Sequence, residues 1–457
     1  MTNPVSIYEK YFKDPKREPV LIDYVRTPMG KRRGTLVRHR GDDLIVHCYE
    51  ALIKRNDFDL SVLGDSMVSC NSQIGECALD IGRNVALAAH LPVSVGGMSL
   101  NRHCASGAQA VLSAWQAVAS GVHDAVICGG IEIQNKYPIM ADTYVFNEEL
   151  GKPLMVAPNK KIVTNPEVAA KMNEHNTTLA GQINSAHIMG IHYFSKHNGI
   201  SPKDFKGEYR DQLRQDLDQL SLLSHQKADK AWDDRGKEIE PIWCPKLDEN
   251  GKPMLNENND VAKDESLSVL TTRDETPRPS TSMEALAGLK TITGRKTQAF
   301  LTAGNSCPTT DGAAAQIWMT RGLAEELGLK ARASILNFAI VGSDPVIMLD
   351  GPIKAMPEAL KRANLTFDDM SYIELNEAFS SVVYGCCKEL GLDWNADNFN
   401  PWGGAIALGH PTGMTGCRLI GSNVHQLEKT RDEFAISSMC VGFGMSIATI
   451  VKNEHPK

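Results

Sequence analysis

The chain has 457 residues, 42% of them hydrophobic and 23% charged, with a formal net charge of -7. That length exceeds one ordinary core, so two or three structural units are expected, in a composition typical of soluble globular proteins. The acidic balance and the lack of a long Lys/Arg run exclude a nucleic-acid footprint, and no run approaches the ~20 apolar residues of a membrane span.

The first segment carries Glu9, Asp14 and Glu18 among its lysines and has no apolar stretch of signal-peptide length, so a cytoplasmic location is expected. Eleven cysteines are scattered without a Cys-x-x-Cys pair, which reads as reduced thiols rather than disulfides. With no His-Glu-x-x-His helix either, no metal site is expected.

Residues 19–24 read as a strand, 42–54 as a helix and 124–128 as a buried strand, an α/β alternation. Between them lies Asn101-Arg102-His103-Cys104-Ala105-Ser106-Gly107, after which Ala108, Val111, Leu112, Trp115, Val118 and Ala119 recur at helical spacing on one apolar face. Cys104 is therefore placed at the start of a buried helix, whose unpaired N–H groups and partial positive charge favour thiolate over thiol. A free cysteine of pKa ~8.5 is about 3% ionised at pH 7, and a shift to roughly 7 raises that fraction more than tenfold.

Residues 141–295 change character: they are polar, helical in patches, and rich in Asp, Glu, Asn and Lys over 246–265. Within that stretch Asp248-Glu249-Asn250-Gly251 is a hairpin-turn signal flanked by Ile242, Trp243 and by Met254, Leu255. From about residue 296 the strand–helix alternation returns. Adjacent Cys386 and Cys387 are expected to pack a helix.

Three short motifs close the chain. Tyr372-Ile373-Glu374-Leu375 reads as a strand running into Asn376-Glu377-Ala378-Phe379. Gly403-Gly404-Ala405-Ile406-Ala407-Leu408-Gly409-His410-Pro411 precedes a helical face of Thr415, Leu419, Ile420, Asn423, Val424 and Leu427, and Cys440-Val441-Gly442 follows. A histidine between small-residue turns and a cysteine beside glycine supply a base, an acid and approachable N–H donors, in loops of the kind that carry α/β active sites.

Together with the Cys104 segment, these motifs resemble the thiolase family. The likeness extends to Arg26-Thr27-Pro28-Met29-Gly30-Lys31, Gly129-Gly130-Ile131-Glu132, Thr302-Ala303-Gly304-Asn305 and Asp311-Gly312-Ala313-Ala314-Ala315, in family order over nearly the whole chain. The resemblance implies an α/β thiolase fold: two similar halves, each a mixed five-stranded sheet between helices, in five layers, with an inserted loop domain. The boundaries it implies are 19–135 plus 300–328 for the N-terminal half, 136–299 for the insertion and 329–457 for the C-terminal half. Length beyond a typical thiolase falls around 195–210 and 246–265.

The same resemblance implies the roles. Cys104 matches the acylated nucleophile, His410 the base that activates it, and Asn376 the residue that orders a water in one oxyanion hole. Cys440 matches the second acid/base, and the backbone N–H groups of Cys104 and Gly442 match the other oxyanion hole. Arg278, Met189, Ala303, Cys307, Ala378 and Phe379 match contacts to coenzyme A, although Cys307 stands where many relatives carry a serine and is the weaker donor. Trp402 and Phe443 replace smaller residues and are expected to add bulk near the site.

The implied reaction is ping-pong acyl transfer between CoA thioesters, read as thiolysis of a 3-ketoacyl-CoA to acetyl-CoA and a shortened acyl-CoA, as in fatty-acid β-oxidation. Condensation of two acetyl-CoA and a weakly active acyl-CoA-binding subunit are the alternatives. Coenzyme A is a substrate with no tightly bound cofactor beside it. A homodimer or homotetramer is implied, with a β-oxidation subunit as a further partner.

Overall fold

The computed structural model describes residues 4–148, 151–155, 181–258, 260–292 and 298–457. Among the described residues ten strands form one continuous sheet. Nine lie on its main path: β1 (Pro19–Arg26), β2 (Leu63–Ser69), β3 (Met98–Leu100), β4 (Ala125–Ile133), β5 (Thr310–Thr320), β6 (Ala333–Gly342), β7 (Tyr372–Leu375), β8 (Phe434–Val441) and β9 (Met445–Asn453). Their spatial order is β7-β8-β9-β6-β1-β5-β4-β2-β3, and the two-residue strand Gly30–Lys31 pairs with β5. Strands β4 and β5 are buried at every position, which is why they read as apolar runs rather than as alternating patterns.

Two halves meet where Val20 and Leu21 pair with Ser334 and Ala333. In the first, β1–β5 and β5–β4 are antiparallel while β4–β2 and β2–β3 are parallel. In the second, β6–β9 and β9–β8 are antiparallel and β8–β7 parallel, followed by one parallel bridge between Ile373 and Phe399. The pattern repeats, but the second half has four strands plus that single bridge where five strands were expected. The reason is local: Asp393 accepts from the Asn395 and Ala396 N–H groups and coils the segment into turns until Phe399.

The main helices are α1 (Gly41–Arg55), α2 (Ile81–Ala88), α3 (Ser106–Ser120), α4 (Gln182–Asn198), α5 (Glu208–Lys230), α6 (Pro352–Ala363), α7 (Ser380–Leu390) and α8 (Thr415–Thr430). They occupy equivalent places in the two halves, α3 before β4 and α8 before β8. Helices α3 and α8 pack on each other and on opposite halves of the sheet, while α1 and α2 cover one outer face and α6 the other. This gives five layers with an apolar core in each space between them.

Every residue of the predicted α3 face, from Ala108 to Ala119, is buried, as are the six named on α8. Cys386 and Cys387 are buried in α7. The connection from β4 to β5 runs through residues 134–309, whereas the equivalent connection from β8 to β9 is the turn Gly442-Phe443-Gly444.

The hairpin signal at 248–251 is a turn, closed by Gly251 N–H to Asp248 O and by a Leu247–Pro253 bridge. Strand Ile242–Pro245, however, pairs with Ser268–Thr271 and not with residues 254 and 255. The turn chemistry is local, while the strand partner is set by how much chain is looped out between the arms.

Candidate active site

Helices α3 and α8 begin side by side, and their first turns touch through glycine. A Cβ on Gly416 would lie 2.2 Å from the Ala108 nitrogen, and one on Gly107 would lie 2.7 Å from the Cys417 nitrogen and 2.9 Å from the Gly413 carbonyl. The loops that enter these helices, with Cys104 two residues before α3 and His410 five before α8, are thereby forced together.

The Cys104 loop is held by its own polar atoms. His103 N–H donates to Asn101 Oδ1 at 2.8 Å; Ser106 Oγ accepts from Arg102 N–H at 2.8 Å and donates to the His103 carbonyl at 2.6 Å. The Cys104 sulfur is buried, faces the backbone N–H groups of Gly442 and of Cys104 itself, and lies 3.9 Å from Gln182 Nε2. The expected lowering of its pKa does not occur. Burial pushes the thiol up to about 11, against the pull of those donors, because a charge placed there loses its water. Nothing in the local sequence points to Gln182, since it reaches the Cys104 sulfur from a distant part of the chain.

His410 is buried with its tautomer fixed by neighbours. The Thr415 hydroxyl donates to the Pro411 carbonyl at 2.8 Å, so at 2.7 Å it accepts from His410 Nδ1–H. Nε2 keeps its lone pair, and Asn376 Nδ2 lies 3.4 Å from it. Burial and the Arg418 charge lower the imidazole pKa to about 3, which leaves a neutral base. Asn376 Oδ1 is buried without a partner among the described residues and is free to accept from a water or a substrate.

The loop itself is tied down from below. Gln134 Nε2 donates to the His410 carbonyl, while the buried Glu132 carboxylate accepts from Thr412 Oγ and from the N–H groups of Gly413, Asn71 and Ser72. Glu377 accepts from Ser224 Oγ, Asn400 Nδ2 and the Ile406 N–H, which fixes the turn after Asn376.

Cys440 is the last residue but one of β8 and is buried; Gly442 follows in the turn. Burial raises the Cys440 thiol well above its ordinary value, and charge on Cys104 or Cys307 raises it further, so the three sulfurs lie within electrostatic reach of one another. Cys307 is partly exposed, its N–H donates to the Ala378 carbonyl at 3.1 Å, and burial with the Cys104 charge pushes its thiol up to about 12. Phe379 bridges to Ser306 beside it. Cys104 thus meets the Gly442 N–H, Ala378 and Phe379 pair with Cys307 and Ser306, and His410 meets Asn376, two residues before Ala378.

The other positions matched to coenzyme A lie differently. Arg278 is exposed and its N–H donates to His225 Nδ1 at 3.2 Å; Ala303 is exposed in the turn after Thr302. Met189 is fully buried in α4, where its terminal methyl fills the space over Gly385 of α7, so its side chain packs helices instead of lining an open surface. Trp402 is buried and Phe443 is 43% exposed. Among the described residues no group of His, Cys, Asp and Glu is arranged to hold a metal ion, and no helix is long and apolar enough to cross a membrane.

This site sits in a sequence matched from residue 19 to 322 by the family model for the thiolase N-terminal domain and from 329 to 453 by that for the thiolase C-terminal domain. The chain belongs to the thiolase family. As a thiolase it is an acyltransferase.

Among its relatives, this thiolase is 35% identical to the beta-ketoadipyl-CoA thiolase of Pseudomonas aeruginosa, over 95% of this chain and 99% of that one. It is likewise 35% identical to the 3-ketoacyl-CoA thiolase of Aliivibrio fischeri, over 94% and 98%. A crystal structure of the Bacillus anthracis acetyl-CoA acetyltransferase superposes with a TM-score of 0.76 at 26% identity, over 99% of this chain and all of that one.

Proposed function

We propose that this thiolase cleaves 3-ketoacyl-CoA thioesters with coenzyme A, through an acyl group carried on Cys104. In this reading His410 Nε2 takes the Cys104 proton as the sulfur attacks the 3-keto carbon. The N–H groups of Cys104 and Gly442 receive the oxyanion of the acyl group. The C2–C3 bond then breaks, and its electron pair leaves as the enolate of acetyl-CoA, stabilised beside Asn376 and His410. Cys440 protonates C2, and acetyl-CoA departs. Free CoA gives its thiol proton to the Cys440 thiolate and attacks the Cys104 thioester, releasing the shortened acyl-CoA, while the departing Cys104 sulfur takes its proton back from His410.

The reading is supported by a buried sulfur facing two backbone donors, by an imidazole beside Asn376 whose free nitrogen is defined by Thr415, and by a second thiol, Cys440, within electrostatic reach of the first. Donors of this kind each contribute about 3 kcal/mol in a transition state. Coenzyme A acts here as a substrate. The same reading takes residues 136–299 as a segment covering the substrate, inserted into an N-terminal half of 19–135 plus 300–328 and followed by a C-terminal half of 329–457, in a cytoplasmic homo-oligomer.

Thiolysis of acetoacetyl-CoA and of a longer 3-ketoacyl-CoA, with intact-mass analysis after brief exposure to each, tests it. The expected result is turnover of at least one substrate and an acyl mass increment that Cys104→Ala abolishes. Turnover of neither overturns the proposal.

A further inference from the structure

Two residues with side chains occupy left-handed backbone immediately beside the two oxyanion donors: His103 (φ 46) before Cys104, and Phe443 (φ 67) after Gly442. Left-handed φ is tolerated by histidine better than by most residues, but for a bulky residue such as phenylalanine it is an outlier that costs free energy. The three-residue turn between β8 and β9 needs positive φ, and glycine would supply it without strain. Gly444, the next residue, does so at φ 77. A phenylalanine at this position therefore needs an offsetting contact.

His103 supplies that contact. The Phe443 and His103 rings stand 4.8 Å apart between centroids, tilted by 51°. The His103 ring also covers Gly442, lying 3.7 Å from where a Cβ on that glycine would be. On its far side His103 Nδ1 meets Asn71 Oδ1 at 3.2 Å, and Asn71 N–H donates to Glu132, the carboxylate that also binds Thr412 and Gly413 beside His410. A continuous path of packed and hydrogen-bonded groups thus joins the turn carrying one donor, the loop carrying the other, and the histidine loop.

Resting on the reading of Cys104 as nucleophile, we infer that the His103–Phe443 ring pair is a positioning device: it holds the Gly442 N–H at a fixed separation from the Cys104 N–H. Neither ring reacts. A turn hinged on three consecutive flexible positions would let the Gly442 donor wander, and a donor aimed wrongly by an ångström loses most of its effect on a developing oxyanion.

Phe443→Gly separates this role from a structural one, because removing the ring also removes the backbone strain. The expected result is a melting temperature equal to or above wild type, kcat lower by about tenfold or more, and KM within about twofold. Phe443→Tyr, which keeps the aromatic contact, should retain kcat, while Phe443→Asn, which accepts the left-handed backbone without a ring, should lose it as Phe443→Gly does.

Wild-type kcat in Phe443→Gly overturns the inference. So does a change confined to acyl-chain preference, which would make the pair a substrate wall, or a loss of kcat that follows a fall in melting temperature. Acyl mass on wild-type Cys104 is recorded in parallel. Its presence with an unaffected Phe443→Gly removes this inference alone, and its absence removes the proposed function with it.

Discussion

Cys104 and His410 show how burial overrides the local field at a helix start. The thiol is pushed up to about 11 and the imidazole down to about 3, so between those values both are neutral in the free enzyme. In the proposed reaction the pair becomes reactive only when substrate places a carbonyl at the backbone donors and the proton moves as the bond forms. Alkylation by iodoacetamide, which needs the thiolate, should therefore be slow at pH 7 and keep rising through pH 9 and 10. The measurement is the rate of Cys104 modification against pH by peptide mass analysis. A plateau reached near pH 7 or 8 would show that an ionised thiol exists in the resting site.

The same residues mark how far sequence alone carries the site. Cys104, Cys440 and Asn376 stand out as candidates because each lies at the junction of an apolar run and a turn, a pattern of adjacent residues. The raised thiol pKa is not, because it depends on what other segments pile above the sulfur. Thr415 is visible in the sequence only as a small residue on a buried face. Its second role, accepting from His410 Nδ1, appears once helix α8 places it against the loop. Met189, matched to a pantetheine contact by resemblance, has its terminal methyl between α4 and α7, a placement its own segment does not foretell.

At the scale of elements, strands and helices are readable because each is amphipathic or wholly apolar over its own length. The repeat between halves is not. It lives in the order of antiparallel and parallel pairings, and unrelated side chains can satisfy the same pairing. Its consequence is that two equivalent helices, α3 and α8, start against each other and bring the Cys104 loop and the His410 loop side by side. Glycine makes this possible.

Gly416→Ala would put a methyl 2.2 Å from a backbone nitrogen of α3, an atom that cannot swing away as a side chain can. The helices must separate, at a cost of about 1–3 kcal/mol for overpacking. We expect a lower melting temperature and, at temperatures where the variant remains folded by circular dichroism, a loss of kcat larger than the change in KM. Full activity in a destabilised variant would show that the loops are positioned independently of the helix crossing.

The whole molecule is fastened by buried charge as well as by its apolar cores. Arg26 at the end of β1 has no exposed side-chain surface; it binds Glu238 at 2.9 Å and Asp274 at 2.7 Å, and Asp274 also takes Arg235. This network ties the central strand to the segment between α5 and β5. Replacing one member leaves the others charged and buried, so Arg26→Met should cost about 3–5 kcal/mol although it preserves bulk. Chemical denaturation followed by tryptophan fluorescence would measure this, and a loss below about 1 kcal/mol would mean that water reaches the carboxylates.

Buried histidines make the folded chain sensitive to acid, and His225 on α5 isolates the effect because it is none of the residues proposed to react. Burial, aided by the Arg278 charge, lowers its pKa to about 4, while its ordinary value is 6.5. Between those values the unfolded chain binds a proton that the folded chain refuses, so stability falls as pH drops through this window and is complete above it. The separation corresponds to about 3 kcal/mol at pH 4.

Other groups act in the same range: His39, held near 4, adds to the loss, whereas Glu374, raised to about 7, and Asp311, raised to about 6, bind protons more tightly when folded and oppose it. A single wild-type curve therefore mixes opposing signs, and the informative quantity is a difference between proteins. His225→Gln keeps an acceptor for the Arg278 N–H but cannot take the proton. Relative to wild type, it should gain stability steadily from pH 6.5 to 4 while the gap between the two stays constant above pH 7. A gap that is flat across the acid range would show that His225 is protonated in the folded enzyme, with its ring open to water.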